Sequence, residues 1–401
     1  MKLLQINCVY GYGSTGRIVE SIHQTAVKNG FESYVVYGSG KKYEDSRFYC
    51  MQDPLSIKFS VLQTRLFGKH GFYNKGATAE LIKWIREVDP DIIHLQNIHG
   101  HYINVRLLFE YLKESGKPVV WTLHDCWSFT GHCAHYITSD CDRWMTGCHD
   151  CESLKEYPKS LVFDRSKESW TEKKALFTSL KELQIISPSK WLSAQISRSF
   201  LKDYPLYTIY NGIDLEIFKP HETDLKKKLG IEGCFIILGM ANKWLQPVNE
   251  PVVRKIVENL GDGDRIIIIG AKELPEYMKE KCVCVSYIHD QGTLSDYYNI
   301  ADVFVNLTLA DTLPTVNTES LACGTPIVTY DNSGTSESIS NKTGILVKNL
   351  DGDGIIAAIN TIKKNTKALY TDKCVERAGL YFDKASTYDL IIQMYKKMLE
   401  R

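Results

Sequence analysis

The sequence predicts an α/β protein of two or three domains. Three observations lead there. Short apolar strand candidates alternate with amphipathic segments of helix length along the chain, the pattern of parallel sheets with crossover helices. The length of 401 residues favours two or three domains. A hydrophobic content of 44% is enough to fill more than one core.

Lys2 to Val9 reads as a first strand. Tyr10-Gly11-Tyr12-Gly13-Ser14-Thr15-Gly16-Arg17 follows, then an amphipathic helix to about Lys28. A Gly-rich turn between strand and helix allows an anion to approach the backbone closely. It is not a dinucleotide fingerprint, because the acid expected about twenty residues on is missing. An ordinary tight turn and a ligand-facing loop both remain open.

Phe31 to Tyr37 is a second strand. Leu55 to Phe67 mixes apolar residues with Lys58 and Arg65, and Lys69 and Lys75 lie just beyond. A core-facing helix with a solvated basic face is the preferred reading. A basic element lying on an anionic membrane surface stays open beside it.

After a helix ending near Val88, Asp91 to Leu95 is a buried strand, followed by Gln96-Asn97-Ile98-His99-Gly100-His101. His94, His99 and His101 suggest a metal, but His94 is expected to point into the sheet, so separate packing and cleft roles are preferred. Pro118 to Leu123 is the next strand and ends in His124-Asp125-Cys126-Trp127. A His just past the carboxyl end of a central strand is well placed for catalysis. The segment from about 126 to 151 is rich in Cys and His. Its Cys133, Cys141, Cys148 and Cys151 admit a four-thiolate structural zinc, with free thiols the alternative and no catalytic role either way.

Gln184 to Ser187 is a strand, and Pro188-Ser189-Lys190-Trp191 opens a helix. Leu206 to Tyr210 leads to the turn Asn211-Gly212-Ile213-Asp214. Strands are expected at Phe235 to Met240, Arg265 to Gly270, Val283 to Tyr287 and Asp302 to Leu307, with a helix from Leu294 to Ala301. Then comes the most informative stretch, Asp311 to Glu337. Pro314 sits where a helix would begin, Val316, Leu321 and Ala322 fall at helical spacing, and Gly324 stops the helix before a strand at Pro326 to Tyr330. Ligands of such sheets bind outside the carboxyl ends of the strands, near helix N-termini. Free N–H groups around Thr315 to Asn317 are expected there, with Asp311 before the helix and Glu319 inside it, a carboxylate able to accept two hydrogen bonds from a ribose diol. Thr343 to Val347, Ile355 to Ile362 and an amphipathic last helix, about Thr387 to Leu399, complete the chain.

Asp311 and Glu319, eight apart, with Leu-Pro between and Ala-Cys-Gly-Thr-Pro after, resemble the acidic-x7-acidic motif of the retaining "group 1" glycosyltransferases (family 4-like, polysaccharide-biosynthesis type) of the GT-B fold. The usual first acid is Glu, so Asp311 is a conservative departure. The resemblance covers nearly the whole chain except the Cys-rich insert. It implies two Rossmann-like domains facing across a cleft. Asn211 to Asp214 resembles the segment that marks the passage between them. Residues 1–205 then form an acceptor domain, on which the C-terminal helix, about 386–401, packs back, and 206–385 form a nucleotide-sugar domain.

The resemblance also implies roles. His124 and Asp311 lie at the donor sugar. Glu319 holds the ribose. Asn242, Lys243 and the backbone of Pro314, Thr315 and Val316 face the diphosphate, and Tyr287 and Ile288 the nucleobase. Gly13, Ser14, His99 and His101 shape the acceptor side. Family members carry a Lys five residues after the position of Lys243; here that position is Val248, leaving Lys243, with Arg254, to meet the phosphates. The implied reaction is retaining transfer of a hexosyl or related sugar from a nucleotide sugar to an acceptor hydroxyl, with no metal at the reaction centre and no cofactor required. The acceptor implied is a lipid-linked glycan of capsule, exopolysaccharide or lipopolysaccharide synthesis. A non-catalytic nucleotide-sugar-binding protein, motivated by Val248, and a sugar-nucleotide epimerase of the same fold are the alternatives.

Composition limits the partners. Lys plus Arg number 48 and Asp plus Glu 48, so bulk charge gives no reason to expect nucleic acid. Apolar runs are too short for a bilayer span. The N-terminus reads as a strand, not a signal peptide, and the 12 Cys are expected as thiols or metal ligands. A cytoplasmic protein is expected, with peripheral contact at the inner face of the membrane left open.

Overall fold

The computed structural model describes residues 1–51 and 53–400. The chain forms two compact units: Met1–Tyr210 with the C-terminal run from Ala385, and Asn211–Lys384. Each is built on one all-parallel sheet.

The first unit's strands are β1 (Lys2–Val9), β2 (Glu32–Ser39), β3 (Phe48–Cys50), β4 (Ile92–Leu95), β5 (Val119–Thr122), β6 (Leu183–Ser187) and β7 (Leu206–Thr208). Their spatial order is β3-β2-β1-β4-β5-β6-β7. β4, β5 and β6 are buried along their whole length, as strands of a sheet covered on both faces must be. One face is covered by the helices Lys75–Val88, Val105–Ser115 and Ser166–Phe177, with Leu81, Ile85, Leu108, Phe109 and Phe177 in its core. The other is covered by the Gly13–Lys28 helix and the last helix, Lys384–Leu399, through Ile18, Ile22, Ile391, Ile392 and Tyr395. Two short strands were not expected, β3 and β7. β7 pairs with β6, which places the unit boundary at Asn211 rather than at 206.

The second unit's strands are β8 (Phe235–Met240), β9 (Asp264–Ile269), β10 (Cys282–Val285), β11 (Val303–Asn306), β12 (Ile327–Tyr330) and β13 (Gly344–Val347), in the order β10-β9-β8-β11-β12-β13. The strand order reverses direction between β1 and β4 in the first sheet and between β8 and β11 in the second. Crevices open at the carboxyl ends of the strands at such points, so the loops after β1, β4 and β5, and those after β8 and β11, are the ones to inspect. The loop after β8 is bolted to β11: Trp244 Nε1 donates to the Val305 carbonyl at 2.8 Å, and Asn249 Nδ2 to that of Leu307 at 2.8 Å. Trp244 lies so close beneath β8 that a Cβ on Gly239 would meet its Nε1 at 2.3 Å, which requires Gly there.

The helix of the motif runs Thr315–Ala322. Pro314 sits one residue outside it as the N-cap, not at its first helical position, and Gly324, at φ 72°, turns the chain into β12.

Ile392, 1% exposed, tests the role of the last helix. Ile392→Ala is expected to lower the first unit's unfolding free energy by about 3 kcal/mol, read as a lower urea midpoint at unchanged slope. A loss below about 1 kcal/mol would mean that this helix lies outside the cooperative core.

Candidate functional site

In the second unit the Thr315–Ala322 helix is polar yet buried from Asn317 to Ala322. Buried polar groups need partners, and here they have them. Asn306 Nδ2 donates to Asn317 Oδ1 at 2.8 Å, Asn317 Nδ2 to Ser338 Oγ at 2.8 Å, and Ser320 Oγ to the Thr325 carbonyl at 3.0 Å. Glu319 is 6% exposed, and its Oε2 accepts the Tyr298 hydroxyl at 3.1 Å. Asp311 is half-buried. Its Oδ1 accepts the Leu313 N–H at 3.2 Å, its N–H donates to Ser333 Oγ at 3.1 Å, and its carbonyl accepts from Gly334 at 3.0 Å. Ser333 holds a left-handed φ of 43° to make this contact between the loops after β11 and β12. The N–H of Asn317, expected to be free, donates to the Pro314 carbonyl at 3.0 Å, because the chain tightens into a turn at the helix start. Thr315 and Val316 are half-buried and form the helix's opening.

Asn242 is exposed and Lys243 half-buried in the four-residue helix Ala241–Trp244 after β8. Tyr287 is 59% exposed in the loop after β10, edge-on to His289, with Ile288 half-buried beside it. Arg254 does not join Lys243 as expected. It pairs with Glu250 at 2.8 Å, one helical turn back, and lies 4.0 Å over the Tyr277 ring. Val248 is 46% exposed.

In the first unit, Asn7, near the end of β1, ties that strand to the loop after β4: its Oδ1 accepts the Asn97 N–H at 3.0 Å. Gly13, at φ 64°, opens the first helix, with Ser14 exposed beside it. His94 is fully buried, with Nε2 2.8 Å from Thr122 Oγ1 and Nδ1 bonded to the Tyr395 hydroxyl. His124 Nε2 lies 2.7 Å from Gln96 Oε1. Burial pushes His124 down to about 4, so at neutral pH it is a neutral donor to Gln96. His99 Nε2 lies 2.7 Å from Asp125 Oδ2, and its Nδ1 3.3 Å from the Tyr157 hydroxyl. Burial acts to raise Asp125, but His99 and the Trp127 N–H outweigh it and hold the carboxyl at about 2. His101, at φ 71°, has Nδ1 3.3 Å from Thr64 Oγ1 and its ring 4.4 Å from that of His70.

The sequence reading missed Asp125, Tyr157 and His70. The His124-Asp125 dipeptide offered one signal, since neighbours at a strand end project to opposite sides. His70 accepts the Gly100 N–H at 3.2 Å through Nε2. No local pattern marks it or Tyr157.

Cys133, Cys141, Cys148 and Cys151, read as a zinc set or as free thiols, lie close enough for Cys133 to feel the other three. Among the described residues no three His, Cys, Asp or Glu side chains are placed to hold a metal ion. Cys133 is hydrogen-bonded to Cys151, which lowers Cys133 and raises Cys151, while the sulfur of Cys148 accepts the Gly131 N–H at 3.1 Å and burial pushes its thiol up to about 12. Buried Trp144 and Lys173 hold the insert instead; Lys173 Nζ donates to the Trp127 and Thr130 carbonyls at 2.7 and 3.1 Å.

Residues 15–217 match Glycosyltransferase Family 4, and residues 235–365 match the Glycosyl transferases group 1. The chain belongs to this glycosyltransferase family. A putative colanic acid biosynthesis glycosyl transferase, WcaC of Escherichia coli, is 27% identical over 367 residues, 86% of each chain. Sucrose-phosphate synthase from Thermosynechococcus elongatus superposes with a TM-score of 0.73 at 14% identity, covering 100% of this chain and 99% of that one. Anabaena Alr3699/HepE, solved in complex with UDP-glucose, gives 0.67 at 14% identity, covering 99% and 100%. The two parallel-sheet units are those of the GT-B fold. The protein is a glycosyltransferase.

The glycosyltransferase's buried histidines make its stability depend on pH. Burial holds His94 at about 3 and His23, His101, His124 and His132 at about 4. These folded values lie below the unfolded value, so between about pH 6.5 and 4 the unfolded chain binds more protons. Stability is therefore full above that window and falls as pH drops through it, by about 1.4 kcal/mol per pH unit for each such histidine. His124→Gln is expected to flatten the slope of unfolding free energy between pH 6.5 and 5 by about one proton. Equal slopes would show that His124 titrates alike in both states.

Proposed function

We propose that the protein transfers a hexosyl or related sugar from a nucleotide sugar, a uridine diphosphate sugar first among the candidates, to a hydroxyl of a lipid-linked glycan, with retention at the anomeric carbon. The observation that carries this is Glu319 on a buried, hydrogen-bonded helix, with Asp311 in the loop that leads into it, at the reversal point of the second sheet. The colanic acid relative supports an exopolysaccharide product, with capsule and lipopolysaccharide as the related settings, and the UDP-glucose complex of the Anabaena neighbour supports the donor base.

In this reading Glu319, fixed by Tyr298, holds the ribose diol. Tyr287 and Ile288 meet the base. Lys243, with Asn242 beside it and the N–H groups at Thr315 and Val316, stabilises the leaving diphosphate, where negative charge builds as the bond breaks. Asp311 and His124 lie at the donor sugar, His124 neutral and oriented by its bond to Gln96. The bond from the anomeric carbon to the phosphate oxygen breaks, and the bond to the acceptor oxygen forms on the same face. The acceptor's proton passes to the departing phosphate oxygen. Metal and organic cofactor have no step in this scheme. Gly13, Ser14, His101 and His99, oriented by Asp125, form the acceptor side.

The test is donor binding and turnover across UDP-, GDP- and ADP-sugars, with and without lipid-linked acceptors. One donor is expected to bind and release its sugar slowly. Glu319→Ala is expected to abolish both, with Lys243→Ala, at a half-buried position, as the variant that spares the fold. Loss of one charge-assisted contact should weaken donor binding by roughly 10- to 100-fold. Val248→Lys, on an exposed position, is expected to tighten it. Binding without turnover would instead support the nucleotide-sugar-binding protein that Val248 suggests, and epimerised donor would sink the transferase.

A further inference from the structure

The Pro54–Phe67 helix reverses the polarity of a water-facing helix. Its buried residues are the hydroxyl-bearing Ser60 and Thr64. Its exposed residues include Leu55 at 78%, Phe59 at 61%, Leu62 at 50% and Leu66 at 37%. These four are spaced i, i+4, i+7 and i+11, so they form one stripe along the outer side. The expectation of a core-facing apolar side is thereby overturned, because the inner side meets His101 through Thr64 rather than a hydrophobic core.

The stripe does not stand alone. The Leu161 N–H donates to the Arg65 carbonyl at 2.7 Å, drawing in the loop Leu161-Val162-Phe163, whose side chains are 64%, 60% and 45% exposed. Phe163 stacks on Phe67, with ring centres 6.3 Å apart and planes at 11°. Two segments about a hundred residues apart thus close into one exposed apolar patch.

Along the helix the charges are mostly basic, and Asp164, next to Phe163, is taken up by the Cys151 and Ser166 N–H groups. Residues 53–76 carry Lys58, Arg65, Lys69 and Lys75 and a single acid, Asp53. Asp53 is used up as the N-cap, its carboxylate accepting the Leu55 N–H at 3.1 Å. Lys69 pairs with Glu172 at 2.6 Å, while Lys58, Arg65 and Lys75 make no ion pair among the described residues. Lys58 and Arg65 fall on one flank of the stripe by helical spacing. An apolar stripe edged by unpaired cations complements an anionic lipid interface, where the side chains enter the acyl boundary and the cations meet phosphates.

We propose that this helix and the Leu161–Phe163 loop are the surface on which the protein lies on an anionic bilayer. The proposal supplies a partner for the lipid-linked acceptor reading and rests on it for purpose, but the surface is read from the first unit alone. No described helix is long and apolar enough to cross a membrane, so the contact is one of lying on the interface. It reaches the acceptor side directly, since Thr64 on the inner side of the helix bonds His101.

The test is flotation of the full chain with vesicles of phosphatidylcholine, with and without phosphatidylglycerol, at low and high salt. Partitioning is expected on the anionic vesicles, weaker on the neutral ones and weakened by salt. Leu62→Gln/Leu66→Gln and Leu161→Gln/Phe163→Gln should each lower it by about tenfold or more, with thermal unfolding and nucleotide-sugar binding unchanged. A wild-type chain that binds donor but does not float with anionic vesicles would overturn the surface and leave the transferase reading standing. Equal partitioning of variants and wild type, or equal partitioning on neutral and anionic vesicles, would also overturn it. So would a dimer that these variants convert to monomer, since the patch would then belong to a second copy.

Discussion

The second unit depends on one side chain, Asn317, which receives from Asn306 at the end of β11 and donates to Ser338 beyond β12. Both partners are buried, so neither bond competes with water, and losing one would leave a polar group orphaned in the core. This fixes the rotation of the Thr315–Ala322 helix about its axis. Glu319 is two residues further on and Asp311 is held by Ser333 and Gly334 in the adjoining loops. The two acids are therefore rigid relative to one another through the sheet. A site that must distinguish a reacting state from a resting one gains from such fixed groups, because no reorganisation is left to do when charge develops.

The first unit solves a different problem, that of holding imidazoles close together. His70, His99 and His101 crowd the loops after β4 and the Pro54–Phe67 helix, with rings as near as 4.4 Å. Several charged histidines there would repel one another, and burial keeps His70 and His101 neutral. Asp125 is the one carboxylate buried among them, and it spends its two oxygens on His99 and the Trp127 N–H. Lys173 is likewise pushed down to about 7 by burial against Trp127. His70 and His101, neutral at pH 7, thus act through hydrogen bonds and orientation.

The sheets and the motif helix were legible in the sequence because their signals are local. Asp302 to Leu307, Gly324 and Pro326 to Tyr330 each carry their meaning within a few residues, and the acidic pair is recognisable by spacing. What escaped was set by contacts between distant segments. Arg254 looked available until Glu250 and Tyr277 were placed around it. β7 looked like the start of a new domain, yet it finds its hydrogen bonds on β6. The cysteines of the insert have spacing loose enough for several arrangements, and Lys173, from the following helix, holds the loop that they were expected to staple. The Pro54–Phe67 helix was misread for a different reason. Periodicity identifies an apolar face but does not say whether protein or another apolar medium covers it.

On the proposed mechanism Val248 leaves a charge imbalance at the leaving group. A diphosphate brings at least two negative charges, while Lys243 brings one positive charge and a helix N-terminus about half of one. A relative with a second lysine neutralises more of that charge in the bound donor as well as at the transition state, and binding both equally does not speed the chemical step. With Lys243 alone, the ground-state grip is looser, and more of the stabilisation must come from groups that meet charge only as the bond breaks. The half-buried opening of the Thr315–Ala322 helix would be such a group, on a helix whose rotation the Asn317 bonds hold. The departure at Val248 and the rigidity of the Asn317 network are then parts of one electrostatic arrangement, in which fixed dipoles take over work that a flexible side chain does elsewhere.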